Sequence, residues 1–485
     1  MFGFSMSSFQ FEMGTPGSED PYSDWWFWCR DVENIMAGLV SGDLPEHGPG
    51  YWDLYRIDHD LAVKLGMNVI RFCTEWSRIF PKPTYNVKVD VDRDEDGGIV
   101  SVHIEEKHLR RLDEIANKNA IERYREILAD WKGRGKKVIL NLNHFTLPIW
   151  VHDPLKLRKD PANPHIPRGW LGDDTVIEFA KYAAYVAWRL GDLVDYWSTM
   201  NEPTAVYVNG FINVKSGFPP GILSVEYSLK AMYNLIQAHA RAYDAIKYYS
   251  KKPVGIIYVF TWVDPLRGDE DKEAVEEAMY EANYMFMDAI VEGTSSLRRT
   301  GTSLSISIDR ADLKGKIDWL GLNYYTRAVV TRDEKLGYKF IPGYGNLCQP
   351  RGISKAGRPV SDIGWEVYPE GLYNLVKAVY ERYRLPIVIS ENGVADEKDC
   401  LRPRYLISHL TMLHKALREG VDVKGYLIWS LIDNYEWARG FSMRFGLAYV
   451  DYNTKKRYLR PSALVFREIA KNKEIPEESL ALREI

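Results

Sequence analysis

Long apolar runs are missing from this chain. No stretch approaches the ~18 consecutive apolar residues of a membrane span, and the opening MFGFSMSSFQFEMG lacks both the basic start and the continuous apolar stretch of a secretory leader. The expectation is a cytoplasmic protein with no membrane partner. Cysteine is scarce as well. Cys29, Cys73, Cys348 and Cys400 are the only four in 485 residues, too far apart for a disulfide framework and without CxxC spacing for zinc. Buried free thiols in a reducing compartment are expected. An excess of one charge is also lacking: 63 Lys and Arg stand against 67 Asp and Glu, interspersed, so no basic stripe marks a nucleic-acid partner. No HExxH, no helix-opening GxGxxG and no Walker loop occur, so no motif supports metal, dinucleotide or phosphoryl-transfer chemistry, and no metal or cofactor is expected. The stretch DRDEDG (92–97) imitates the start of a calcium loop. Its twelfth position is His103, and its flanks alternate like hairpin strands, so it reads as a solvated hairpin tip.

What the chain has in excess is Trp and Tyr, 15 and 31 residues, many in turn-like stretches. Aromatic side chains with polar tips suit half-apolar ligands such as sugars. Short β-branched runs alternate with long amphipathic patterns. The runs are 2–9, 67–76, 137–145, 195–202, 254–262, 318–326, 386–392 and 423–433, and they read as buried parallel strands. Helices are expected at 120–135, 176–191 and 404–420, closing on Gly135, Gly191 and Gly420 in the left-handed conformation. Eight strand–helix units predict an α/β fold, a (β/α)8 TIM barrel. The uneven strand spacing calls for long inserted loops, and no linker divides residues 1–485, so a single domain is expected.

In that architecture the C-terminal strand ends share one mouth. Polar or aromatic residues fall within a few positions of those ends: Gln10, Glu75, Trp76, His144, Asn201, Glu202, Tyr325, Glu391 and Trp429. Singly, each has a plain alternative. Glu391 before Asn-Gly can be a turn acid, Glu202 before Pro203 a helix-entry residue, His144 a satisfied structural histidine and Trp429 core. Two carboxylates on strands four and seven can meet across a barrel mouth, and paired carboxylates are the minimum apparatus for breaking a glycosidic bond.

The motifs FQFEMGTPGSEDP (9–21), EWSRIFP (75–81), TMNEP (199–203), LGLNYYTR (320–327), SENG (390–393) and WSLIDNYEWARGFSMRFGL (429–447), in that order, make the chain resemble glycoside hydrolase family one from about Phe4 to Glu468. The likeness is to the archaeal β-glycosidases that act on β-glucosides and β-galactosides. That resemblance implies Glu202 as general acid/base and Glu391 as nucleophile of a retaining double displacement, with Arg71 and Tyr325 keeping Glu391 charged. It also implies that Gln10, His144, Asn201, Glu436 and Trp437 bind sugar hydroxyls and that Trp429 stacks under the ring. An anionic Glu436 is expected to repel a 6-phosphate, which points to unphosphorylated substrates. Phe145 stands where the family usually has Trp, keeping an apolar face but losing the indole N–H. The resemblance further implies a small-molecule β-glycoside as partner, transglycosylation beside hydrolysis and a heat-stable homo-oligomer (tetramer or dimer), and the tail KNKEIPEESLALREI (471–485) suggests a docking segment. A non-catalytic sugar-binding barrel and an inverting hydrolase remain the alternatives.

Overall fold

The computed structural model describes residues 1–298 and 305–477; residues 478–485 of the expected docking tail lie outside them. Eight strands, β1 (Phe2–Ser5), β2 (Val69–Cys73), β3 (Lys137–Asn141), β4 (Tyr196–Asn201), β5 (Val254–Val259), β6 (Trp319–Tyr324), β7 (Ile387–Asn392) and β8 (Val423–Ile428), form a closed parallel barrel in chain order. β8 meets β1 at Phe4↔Ile428 and β1 meets β2 at Phe4↔Ile70. All eight fall inside the predicted runs: in six of them Val, Ile and Leu buried on both faces favour this parallel arrangement, and β1 and β4 bury Phe4, Trp197 and Met200 instead. The barrel is α/β, as expected, with α1 (Tyr51–Lys64), α2 (Lys118–Gly133), α3 (Asp173–Leu190), α4 (Val225–Tyr249), α5 (Lys272–Met279), α6 (Met285–Val291), α7 (Pro369–Tyr383), α8 (Arg402–Arg418) and α9 (Pro461–Asn472) among its helices.

Two packing layers fix which end is open. Val69, Ile139, Ile257, Trp319, Val388 and Leu427 point inward and fill the floor of the barrel. The Trp319 indole is held by the Trp197 carbonyl at 3.0 Å. The intervening residues, such as Ile70, Leu140, Leu320 and Ile389, face the helices in the main core. Each buried aliphatic side chain of this kind contributes about 1.5–3 kcal/mol. With the floor plugged, the polar strand ends face the only end of the barrel these side chains leave open.

Several expectations are corrected. β1 ends at Ser5, and the chain turns into a one-turn helix, Ser8–Phe11, so Gln10 projects from a helical turn. The run 254–262 splits: β5 ends at Val259, and Trp262–Pro265 joins Arg327–Asp333 and Gly337–Phe340 in a separate three-stranded sheet within the inserted loops. α2 begins two residues early because the Asn117 side chain accepts the Ala120 N–H at 3.3 Å. Gly135 and Gly420 are left-handed (φ 71° and 90°), but Gly191 is right-handed, since α3 runs on into a 3₁₀ turn at Gly191–Leu193. Cys29 and Cys73 are buried, Cys348 is partly exposed and Cys400 is exposed. DRDEDG lies at the tip of an antiparallel hairpin, Asp90–Arg93 with Ile99–His103, where the Asp94 carboxylate accepts the Asp96 and Gly98 N–H groups. Among the described residues no helix is long and apolar enough to cross a membrane.

Candidate active site

Alternation along a strand sends successive side chains to opposite faces. Val388 and Ser390 face the barrel interior, so Glu391 in a regular strand would face the helices. A register shift between Ile389 and Asn392 against β8, matched by one between Leu322 and Asn323 against β6, places Glu391 inside as well. β4 repeats the device: its register shifts between Ser198 and Asn201, and Asn201 joins the interior. Bulges of this kind re-aim side chains at functional sites. The backbone adds a second sign. Eight non-glycine residues among those described have positive φ, and three are here: Phe145 (74°), Glu202 (45°) and Trp437 (47°). Such conformations cost about 1–3 kcal/mol each and persist where the surroundings impose them.

Glu391, 3% exposed, receives Arg71 Nη1 on Oε1 and the Tyr325 hydroxyl on Oε2 at 2.5 Å. Arg71 Nη2 also donates to Asn201 Oδ1 at 2.7 Å and lies 2.9 Å from His144 Nδ1. Burial, and then the Arg71 charge, hold the His144 imidazole well below its ordinary range, so it is neutral and can accept from the guanidinium. Glu202 immediately precedes the helix Pro203–Phe211, its side chain makes no capping hydrogen bond, and it is partly exposed. Among the described residues its one side-chain hydrogen-bond partner is the Asn323 amide, which donates to Oε1 at 2.6 Å. Asn323 Nδ2 lies 3.1 Å from Asn201 Oδ1, and its own oxygen is held by Ser390 Oγ at 2.7 Å. Asn323 was missed in the sequence reading. The signal available was an amide at the end of LGLNYY, a strand end like the others.

The two carboxyl groups are not equivalent. Burial first, and the charge of Glu391 second, push Glu202 up to about 8, against the hydrogen bond from Asn323 and the more distant Arg71 charge. Burial raises Glu391 too, but Arg71, Tyr325 and Asn323 all oppose it. Glu391 therefore loses its proton before Glu202 does, giving an anion and an acid facing one cavity. That pair can protonate one atom of a ligand while attacking its neighbour.

The remaining predicted residues gather around this pair. His144 lies between Trp429 (centroids 5.9 Å, 26°) and Trp437 (5.8 Å, 22°). Phe145 packs on Trp437 at 5.0 Å and borders a cavity of about 20 Å³ that Trp25, His152 and Trp170 also line. Gln10 Nε2 donates to Asn434 Oδ1 at 3.0 Å and reaches Glu436 Oε2 at 3.4 Å. Glu436 corrects an expectation: burial, then the Glu391 charge, push it up to about 8, so it is mostly protonated at neutral pH and does not supply the expected repulsion of phosphate. Among the described residues no Lys or Arg forms an ion pair with it either, so nothing there would neutralise a phosphate. Glu75 and Trp76 do not join the site. Glu75 accepts from Thr146, and Trp76 stacks on Tyr182 at 5.2 Å in the helix layer.

Comparison with known proteins agrees with the fold. Residues 113–475 match the model of glycosyl hydrolase family 1. The chain is 54% identical over 477 residues to a beta-galactosidase of Saccharolobus solfataricus, covering 98% of this chain and 95% of that one. It superimposes on the beta-glycosidase from the hyperthermophile Thermosphaera aggregans with TM-score 0.95 at 55% identity, covering 100% and 98% of the two chains. A beta-glucosidase mutant derived from a hyperthermophilic tetrameric structure matches at TM-score 0.93 and 56% identity, covering 100% and 97%.

Proposed function

The chain belongs to glycosyl hydrolase family 1 and is a glycosidase, and on that premise we propose that it removes unphosphorylated β-D-glucosyl and β-D-galactosyl units from non-reducing ends by retaining double displacement. The observation that carries the reading is the asymmetry of the two carboxyl groups: Glu391 held by a guanidinium and a phenol, Glu202 by one amide. Glu391 attacks the anomeric carbon while Glu202 gives its proton to the glycosidic oxygen, and the aglycone leaves as an alcohol. The ester that forms removes the Glu391 charge, so Glu202 loses the second cause that raised it. Glu202 then takes a proton from the attacking water, the sugar departs, and Glu391 returns as a carboxylate. An acceptor alcohol in place of that water gives transglycosylation.

Three features support the finer parts. Asn323 touches Glu202 and also faces Glu391, which suits the roughly 5–5.5 Å carboxyl spacing of retaining enzymes better than the roughly 6.5–9.5 Å of inverting ones. The filled floor makes the cavity blind, which suits a terminal sugar. Gln10 and Glu436 together offer donors and acceptors that a glucose or galactose edge can use. A homo-oligomer, tetramer or dimer, and a cytoplasmic location belong to the same reading, the first supported by the tetrameric origin of one similar structure.

Time-resolved proton NMR of an aryl β-glucoside digest tests it. The β-anomer of glucose is expected first; initial α-glucose would refute retention. Glu391→Gln is expected to lose at least 10⁴-fold in kcat, as removal of a covalent nucleophile does, and an undiminished rate would remove Glu391 from the mechanism.

A further inference from the structure

An ion network that the reaction does not use lies next to the sugar-binding side chains. Glu12, two residues past Gln10 on the same turn, pairs with Arg78 Nε at 2.7 Å and accepts the Tyr124 hydroxyl at 3.3 Å. Tyr124 in turn accepts the Glu75 N–H at 2.9 Å, at the end of β2. The Glu75 carboxylate accepts Thr146 Oγ1. Thr146 closes the turn that carries His144 and Phe145, through its N–H to the His144 carbonyl (3.0 Å) and its carbonyl to Asn143 Nδ2 (2.8 Å). Arg78 also donates to the Ser18 and Glu19 carbonyls and lies over the Trp52 ring at 4.5 Å. Ser77 joins in by donating to Asp20 at 2.6 Å.

One guanidinium here faces three carboxyl groups, Glu12, Asp20 and Glu75, each 3% exposed or less. Full ionisation would leave two negative charges uncompensated in a buried place, which is costly. Burial accordingly pushes Glu12 up to about 7 and raises Asp20 and Glu75 as well. The other titratable groups facing these three, Asp24, Tyr51, Tyr124, Tyr182 and Cys73, carry no positive charge to offset them.

We propose that Glu12, Glu75 and Arg78 are positioning residues that lock the Gln10 turn, the end of β2 and the His144–Thr146 turn into one body, and that ionisation of the buried Glu12 and Glu75 carboxyl groups loosens Gln10 and His144 together. The proposal rests on the reading that Gln10 and His144 hold the sugar. It assigns a shared role to three residues that touch neither the sugar nor the reacting carboxyl groups. Their effect falls on sugar affinity and leaves the chemical step alone.

The test uses the full chain, the neutral and hydrolysis-resistant phenyl 1-thio-β-D-glucoside for binding, and an aryl β-glucoside for turnover. Thr146→Val is expected to bind the thioglucoside about fivefold more weakly, with kcat within about twofold. Glu12→Gln mimics the protonated acid, so it should bind as the wild type does at pH 6 and lose less affinity than the wild type between pH 6 and 8.5. Glu202 and Glu436 titrate over that interval in both proteins, so the difference between them belongs to Glu12. An unchanged dissociation constant in Thr146→Val, a kcat loss equal to its affinity loss, or a wild-type pH slope in Glu12→Gln would overturn the proposal. Should Glu12→Gln not fold, Glu75→Gln takes its place with the same expectation. Wild-type protein that binds the thioglucoside but hydrolyses no aryl glucoside would refute the glycosidase reading alone, leaving the positioning proposal to be decided by the dissociation constants.

Discussion

Asn323 sets how readily Glu202 gives up its proton, because its amide is the one group bonded to that carboxyl and it favours the ionised form. Removing it leaves burial and the Glu391 charge opposed by the Arg71 charge alone. Asn323→Ala is therefore expected to move the alkaline limb of the kcat/KM–pH profile upward by about one unit, as loss of a hydrogen bond to a charged group of about 1.5 kcal/mol implies. A limb that stays in place would mean that Asn323 serves packing only. At Phe145 the apolar wall is kept and one donor is missing, with a one-water cavity beside the ring. Phe145→Trp is expected to lower KM for an aryl β-glucoside about three- to tenfold with kcat little changed, a gain equivalent to one hydrogen bond of about 1 kcal/mol. No change in KM or kcat/KM would take Phe145 out of the sugar site. Glu202 and Glu391 could be picked out of the sequence because a charge at the end of a run that reads as a buried strand is conspicuous. Asn323 could not: an amide in LGLNYY reads as strand, and its importance depends on Ser390, 67 residues away, turning its donor end toward Glu202. The protonation of Glu436 was equally hidden, since it depends on how much water the fold removes.

The strand ends do more than point into the mouth. Regular β7 and β4 would turn Glu391 and Asn201 toward the helices, and the bulges reverse this without disturbing the floor below. Strand existence followed from composition, since six of the eight runs carry Val, Ile or Leu at buried positions, and 2–9 and 195–202 place Phe4, Trp197 and Met200 there instead. Bulges did not, because a register shift is a property of two strands and appears in neither one alone. Trp76 shows the same limit: three positions past the end of β2, it starts a short helix and faces the helix layer. At Gly393 the constraint is steric. A Cβ there would meet the Trp429 carbonyl oxygen, where the ends of β7 and β8 approach each other. Gly393→Ala is expected to cost about 2–3 kcal/mol of stability and most of the activity. Denaturant midpoints at unchanged m-value check the first part; a neutral substitution would mean that the two strand ends can move apart.

Charge burial shapes the stability of the whole barrel. Glu12, Glu202 and Glu436 keep their protons up to about 7, 8 and 8 in the native protein, against 4.5 for a free glutamate. The native state thus binds more protons than the unfolded chain between those limits, and stability falls as pH rises through them. His239 and His409 act in the opposite sense: burial lowers them to about 4 and about 3 from 6.5, so stability is lost as pH falls below 6.5. The two effects oppose each other from 4.5 to 6.5. Above 6.5 the carboxyl slope dominates, opposed by the partly buried Met1 amine, which burial lowers from its ordinary value. Urea midpoints are expected to decline from pH 6.5 to 8.5 and again below about 4.5; a rise between 6.5 and 8.5 would show these carboxyl groups to be ionised already.

The plugged barrel floor makes the cavity a cul-de-sac. Everything that enters must back out through the same doorway, so the aglycone departs first and the sugar last. On the proposed double displacement, accumulated free monosaccharide then competes with fresh substrate for the blind end, and any alcohol waiting at the threshold competes with water for the ester.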